Sequence, residues 1–421
     1  MTLELLDAGS AWAGHRRYAT RGLVRPASHA ELADVVTSGE PVRVLGSRHS
    51  FNDLADSPGV LVSLDALVGE PVIDEARRTV TVDGAMRYGE LAAFLHAHGW
   101  ALHAMASLPH ISVAGAIATA THGSGDTVTN LAGAVVGLDL LTADGRLHTL
   151  GTGDGDLAGA VVSLGALGVV TSVTMRIEPT YDVAQVVWEG LGWDVLTAEF
   201  DTLSSSATSV SVFTTWRDDV AGAVWQKHRT DAAPARDLAD LSVRRATTPH
   251  HPIPGVDAAA CTQQLGVPGP WHDRLPHFRL EFTPSAGAEL QSEYLLPREH
   301  LPAAITALRS LADDLRRLVL VTEVRTVAAD ELWLSSAYGR DTVGLHFTWV
   351  QDVPAVEALL PRLEAALDGL DARPHWGKLF AADAATLAAR YSRWDDARAL
   401  IRRYDPDGVF ANPYLQRVGL R

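Results

Sequence analysis

The sequence predicts an α+β protein in two parts, the second built on a large antiparallel sheet. Three observations carry this. Up to about residue 180, short apolar strands and short helices alternate without a long β-α-β rhythm, and no Gly-x-Gly-x-x-Gly follows a strand. A Rossmann nucleotide fold therefore has no support. From Tyr181 the texture shifts to more tryptophan, more charge and longer strands, which sets a boundary near 180. Beyond residue 290, three strand-like runs each place polar residues at i and i+2 among apolar neighbours.

Taken in order, Arg25-Pro26 closes an extended entry, and Ser28-x-x-Glu31 reads as a capping box for a helix through Val36. Residues 42–45 suit a buried strand, and Gly46 supplies the freedom for a turn at its end. The stretch 42–52, VRVLGSRHSFN, then plants His49 in a loop of small residues whose N–H groups can approach a phosphate. Phosphate cradles need glycines and hydroxyls, so an imidazole there is unusual. Residues 60–64 and 79–82 read as strands, and 88–98 as a helix with Leu91, Phe94 and Leu95 on one face.

Residues 106–125, ASLPHISVAGAIATATHGSG, are nearly all small or hydroxyl-bearing. Ser107, Ser112, Thr119 and Thr121 offer hydroxyls, while Gly115, Gly123 and Gly125 let backbone approach a pyrophosphate or a ring edge. The same composition also suits a tightly packed helix-turn segment. His110 and His122 have no carboxylate beside them before Asp126, so no metal site is expected. Residues 135–141 and 147–150 form a hairpin about Asp144-Gly145, and 163–173, SLGALGVVTSV, reads as a helix end turning into a strand.

These stretches, GSRHSFN, ASLPHISVAGAIATATHGSG and SLGALGVVTSV, together with DPDGVFANPYL at 405–415, resemble in identity and order the FAD-binding half of the vanillyl-alcohol-oxidase flavoproteins. Within that family the chain is similar to the alditol (xylitol or sorbitol) oxidases over nearly its whole length. The resemblance implies an FAD-binding domain over 1–180, a substrate (cap) domain over 181–380, and a C-terminal segment, 381–421, packing back near the first. It also implies FAD joined covalently through His49 to the 8α-methyl of the isoalloxazine. Val44, Leu45, Gly46, Ser47, Arg48, Ser50, Ser107, Ser112, Gly115, Thr119, Ala120, Thr121, His122 and Val170 would hold the rest. The family often carries a second glycine where this chain has Arg48, whose side chain is expected either in solvent or on an FAD phosphate.

In the second part, the Pro-rich spans 248–254 and 267–276 read as irregular chain. Strand alternation pairs Gln291 with Glu293 in 290–294, Glu323 with Arg325 in 318–327, and His346 with Thr348 in 343–350. One such strand suits the solvated face of a sheet. Three together, with Val324 and Phe347 between the polar positions, point to a polar-ligand site, because buried polar groups need partners. Pro374-His375-Trp376-Gly377-Lys378 adds a lysine. The resemblance implies Ser107, Gln291, Glu323, Arg325, Thr348, His346 and Lys378 as the shell around a linear polyol, whose row of hydroxyls suits such groups.

On this reading His346, with an ordinary pKa near neutrality, is the base, and Lys378 steadies the alkoxide or the reduced flavin. Oxygen is the acceptor, giving an aldose and hydrogen peroxide, and Ala106 bears on oxygen access. The alternative is an aldonolactone oxidase or dehydrogenase of the same fold. A flavin- or sugar-binding protein without turnover is a different class. A zinc hydrolase built on the 17 histidines lacks His-Glu-x-x-His spacing.

Composition narrows the partners. Lys plus Arg is 35 against 51 Asp plus Glu, a formal charge of 35 − 51 = −16, which argues against nucleic acid or an anionic membrane. The single cysteine, Cys261, excludes an internal disulfide framework and reads as a buried small hydrophobe. The first 18 residues build no apolar signal-peptide core, and no run has the length of a membrane span. The expectation is a cytoplasmic monomer acting on a small polyol and O2.

Overall fold

The strand that ends at the His49 loop, Val42–Val44, is one edge of a three-stranded parallel sheet in which Val60–Val62 is central and Gly22–Val24 lies on the far side. The structure is a computed structural model, and it describes residues 4–217, 220–282 and 288–421. Helix His29–Val36 links the outer strands. Ser28 caps it by accepting from the Glu31 N–H at 3.2 Å, and Leu32, Val35 and Val36 are buried beneath it. The parallel pairing has no counterpart in the sequence reading, since three-residue strands are too short to carry a periodic signal.

A five-stranded antiparallel sheet follows, in the spatial order Val72–Asp74, Thr79–Asp83, Val169–Arg176, Val135–Leu141, Leu147–Gly151. Its Asp144-Gly145 turn has Gly145 at φ +77°, with Asp144 accepting from the Arg146 N–H at 3.1 Å. The segment read as a helix end at 163–168 is instead a loop, with Leu164, Gly165 and Gly168 at positive φ. Most of the stretch 106–125 is loop around a short helix, Val113–Ala118. There Gly84 is required by close approach: a Cβ would stand 2.5 Å from the Val170 carbonyl oxygen.

The second part is a nine-stranded antiparallel sheet. Its main path runs Arg244–Arg245, Asp182–Gly192, Val220–Arg229, Ser209–Thr214, Val319–Val327, Thr342–Val350, Glu289–Pro297, Arg373–Pro374. Alternation gives each long strand an apolar face: Leu290 and Leu296, Val324, and Val343, Leu345, Phe347 and Trp349 pack with helices Leu301–Arg309, Ala312–Leu318 and Val353–Ala366 in one core. Polar residues on that face are tied off, Ser292 by the Trp349 indole at 2.8 Å and Thr322 by the Trp216 indole at 2.8 Å.

A separate core joins Leu91, Ile117, Leu138 and Val173 to Tyr391, Trp394, Leu400, Ile401, Tyr414 and Leu415 of the C-terminal helices. Asn412 ties the chain end to the side of the His49 loop, donating to the Leu54 and Asp56 carbonyls at 3.0 and 2.8 Å. Among the described residues no helix is long and apolar enough to cross a membrane.

Candidate active site

One cavity lies between the His49 loop, the 106–122 stretch and the polar face of the large sheet. Every site residue expected from the sequence lines it except Ala120, which sits in the apolar core at φ +53° while Thr119 and Thr121 face the cavity.

At the loop end, the His49 ring stacks on Trp12 at 5.1 Å, and both of its nitrogens are buried without a protein partner. Burial lowers its pKa to about 4, so the imidazole is neutral and carries a free lone pair at neutral pH. Ser112 Oγ is likewise buried and unpartnered, and it is flanked by two glycines: a Cβ on Gly46 or Gly115 would come within 2.5 or 2.7 Å of it. Ser47 Oγ accepts from the Ser112 N–H at 3.1 Å, joining the two stretches. Bare glycine surface, an orphaned hydroxyl and an orphaned imidazole facing one cavity fit a large cofactor with a flat ring and phosphates such as FAD.

Arg48 corrects the expectation made for it. Its guanidinium neither points to solvent nor enters the cavity to wait for a phosphate; it donates to the Ala8 carbonyl and lies 5.8 Å from the Tyr18 ring. Its φ is +65°, the left-handed region glycine favours, which accounts for glycine being common at this position in the resembling family.

The sheet face opposite is set by register. Glu323, His346 and Glu293 stand side by side across three strands, with Val321, Thr348 and Gln291 as the next row, and Arg325 beside Gly344 on the other flank. Gly344 leaves room here: a Cβ there would lie 3.2 Å from Glu293 Oε1, tighter than ordinary contact. Into that space Arg325 Nη2 reaches Glu293 Oε1 at 2.8 Å, while Lys378 Nζ reaches Oε2 at 2.6 Å and His122 Nε2 lies 3.2 Å from Oε1. Ser107 Oγ accepts from Arg325 Nη1 at 3.4 Å, and Gln291 donates to Glu289 at 2.8 Å.

These groups are inside the protein: Glu293 is 1% exposed, Glu323 3% and Arg325 5%. Burial alone would raise both carboxyls, but Lys378, Arg325 and His122 around Glu293, and Arg325 and His277 around Glu323, hold them well below the usual range. Each buried anion thus has a cation against it, the arrangement that makes buried charge tolerable. Burial, aided by Lys378, lowers His346 to about 4, which corrects the near-neutral value expected from the residue type. Its Nδ1 faces Glu323 Oε2 at 3.7 Å and its Nε2 has no protein partner.

Sequence reasoning set Glu293 beside Gln291 but left it outside the site, read His375 only as a neighbour of Lys378, and did not single out His277 or Lys227. The i and i+2 rule that selected Gln291 gave the same weight to Glu293. His277 lies in the irregular span 267–276 and its margin, where no period exists to flag it.

Comparison with known proteins followed the same outline. Family profiles described as "FAD binding domain" and "D-arabinono-1,4-lactone oxidase" match residues 20–151 and 288–418. The chain is 52% identical to an alditol oxidase of Streptomyces sp. over 96% of this chain and 97% of that one. It is 31% identical to an L-gulono-1,4-lactone dehydrogenase of Mycobacterium tuberculosis over 97% of this chain and 98% of that one. In fold it matches the crystal structure of cholesterol oxidase from B. sterolicum with TM-score 0.78 and 14% identity, covering 99% of this chain and 97% of the other.

Proposed function

Because the chain belongs to the FAD-dependent alditol oxidases of the vanillyl-alcohol-oxidase family, we propose that it oxidises the terminal carbinol of a linear polyol such as xylitol or sorbitol, with O2 as acceptor. The observation that carries this reading is the row Glu323, His346, Glu293 with Arg325 and Lys378, its carboxylates and guanidinium buried and all five lining the cavity that the His49 loop also lines. FAD in this cavity would supply the two-electron oxidation of the carbinol, with O2 as the final acceptor and hydrogen peroxide as its product.

The protein's residues do the rest. His346 Nε2, neutral and unpartnered, accepts the hydroxyl proton as the carbon–hydrogen bond breaks. Lys378 donates one N–H to the ionised Glu293 and keeps two N–H groups for the oxygen that becomes negative. Glu323, Arg325, Gln291, Thr348 and Ser107 present acceptors and donors to the inner hydroxyls, which fixes the end that is oxidised. The His49 loop, Ser112 and the residues flanking them would hold FAD, and a neutral His49 imidazole with both nitrogens unpartnered is the observation that supports attachment through that ring.

We further divide the chain into an FAD domain over 1–180, a cap over 181–380 and a returning segment over 381–421; the two separate apolar cores support this. The test is an absorbance spectrum of the purified protein, native and acid-precipitated, followed by xylitol without oxygen. Yellow colour that stays with the precipitate and bleaching by xylitol are expected. Colour lost wholly to the supernatant sinks the His49 linkage, and bleaching by gulonolactone but not xylitol replaces the polyol with the lactone.

A further inference from the structure

The proposed oxidation makes no use of His277, although its ring, on irregular chain, packs against the large sheet. It stands edge-on to Phe213 at 5.4 Å and to Trp225 at 5.5 Å. Nε2 lies 2.8 Å from Glu323 Oε1, and Nδ1 lies 3.1 Å from Lys227 Nζ. Lys227, on strand Val220–Arg229, is 2% exposed, and its Nζ also donates to the Leu275 and Pro276 carbonyls at 2.6 and 2.9 Å.

Proton counting restricts this cluster. An ionised Glu323 only accepts, so His277 Nε2 carries a proton. If Lys227 were a neutral amine spending its two N–H groups on the carbonyls, its lone pair would face the lone pair of a neutral Nδ1. The geometry is satisfied only when Lys227 and His277 together hold one positive charge. Burial pushes His277 down to about 4, reinforced by Lys227, and Lys227 down to about 7, so the proton rests on the lysine. Glu323 is then pinned through Oε1, and its Oε2 faces Arg325 Nε at 3.5 Å and His346 Nδ1 at 3.7 Å. At 3.7 Å the carboxylate's charge favours the His346 tautomer protonated at Nδ1, which leaves Nε2 bare.

We propose that Lys227 is a positioning residue for the oxidation: through His277 it fixes the charge and facing of Glu323, which holds His346 in the tautomer whose Nε2 accepts the substrate proton. This rests on the polyol reading above. Neither Lys227 nor His277 need touch the polyol. The charged and titratable groups packed about His277 are Lys227 from its own strand's side, Glu323 and Arg325 from Val319–Val327, and Cys261 near Lys227, with His346 and Lys378 one strand beyond.

The experiment compares wild-type holoenzyme with Lys227→Met and Lys227→Arg by anaerobic flavin reduction across pH, with nitrogen NMR of labelled histidine. Lys227→Met should lower the limiting reduction rate roughly ten- to a hundredfold, taking as a guide the loss when a metal-bound histidine is deprived of its outer hydrogen-bond partner. Half-saturating polyol should change far less. The acid limb of the rate profile should move to higher pH, because His277 without its neighbouring cation binds a proton more readily, and Lys227→Arg should recover part of the rate. Reduction at the wild-type rate with an unmoved acid limb overturns the proposal. Should Lys227→Met fail to fold, the wild-type spectrum decides: His277 protonated at Nε2 and His346 at Nδ1 support the relay, and the opposite tautomer at His346 overturns it. If xylitol fails to bleach the wild type, the polyol reading falls while the tautomer result still stands on its own.

Discussion

Lys378 Nζ is 2.6 Å from Glu293 Oε2, so the lysine that lines the cavity is half of an ion pair with a carboxylate that also holds Arg325. Glu293 is the hub and the lysine one of its spokes. Removing one partner from such a buried cluster leaves charge without compensation. Glu293→Gln, which keeps the shape, should lower the unfolding free energy of the holoenzyme by about 3 kcal/mol in a denaturant titration. It should also drive Lys378, already lowered by burial, further toward its neutral form, since Glu293 is the leading group that opposes that shift. A variant as stable as the wild type would show that the cluster is not balanced as described.

His346→Asn should slow anaerobic flavin reduction by roughly 10²- to 10⁴-fold, the usual contribution of a positioned base. Its pKa near 4 gives the wild type a signature of its own. The working form is the neutral one, so reduction should hold its rate from neutral pH downward and fall only as pH approaches about 4. Stopped-flow reduction across pH measures this, and a limb centred near neutrality would remove His346 from the role.

How much of this was legible beforehand depended on the kind of signal. Period-two alternation is a local property, and it delivered Gln291, Glu323, Arg325, His346 and Thr348 to one sheet face without any knowledge of strand order. Which residues stand side by side is a matter of register, invisible in one sequence; hence Glu293 was seen but not chosen. His277 and Lys227 meet across 50 residues, one of them in irregular chain, and nothing local marks the pair. Arg48 was readable as a departure from a glycine pattern, yet only its backbone angle and its bond to Ala8 say what the side chain does. The parallel pairing of the first three strands was hidden by their brevity.

Stability should fall on acidification from two sources with the same sign. His277 and His346 are held near 4 in the folded state, below the ordinary value of about 6.5, so between those values the unfolded chain binds protons that the folded one does not. Each then adds a slope of up to about 1.4 kcal/mol per pH unit, with stability rising as pH rises through that window and flat above it. Glu293 and Glu323 are held well below the carboxylate range, so their contribution is present above about 4.5 and is lost as pH falls through their folded values. Denaturant midpoints taken between pH 7 and about 4 should therefore drop steadily; a midpoint constant over that span would contradict the buried, neutral state of the two histidines.

Gly344→Ala tests the sheet's register at a single atom. The added Cβ would stand 3.2 Å from Glu293 Oε1 and 3.7 Å from His122 Cε1, tighter than ordinary contact on the first side. A free glutamate could swing away, but this one is gripped by Arg325 at 2.8 Å and Lys378 at 2.6 Å. The strain must therefore pass into the ion cluster. A loss of about 1–3 kcal/mol in unfolding free energy is expected, as for other overpacked interiors. Displacing Glu293 shifts Lys378 with it, so polyol-dependent reduction should weaken while the flavin spectrum in the absence of polyol stays that of the wild type, because the His49 loop lies on the other wall of the cavity. Equal damage to flavin binding and to reduction would mean that Gly344 serves the fold at large and has no special bearing on the Glu293 cluster.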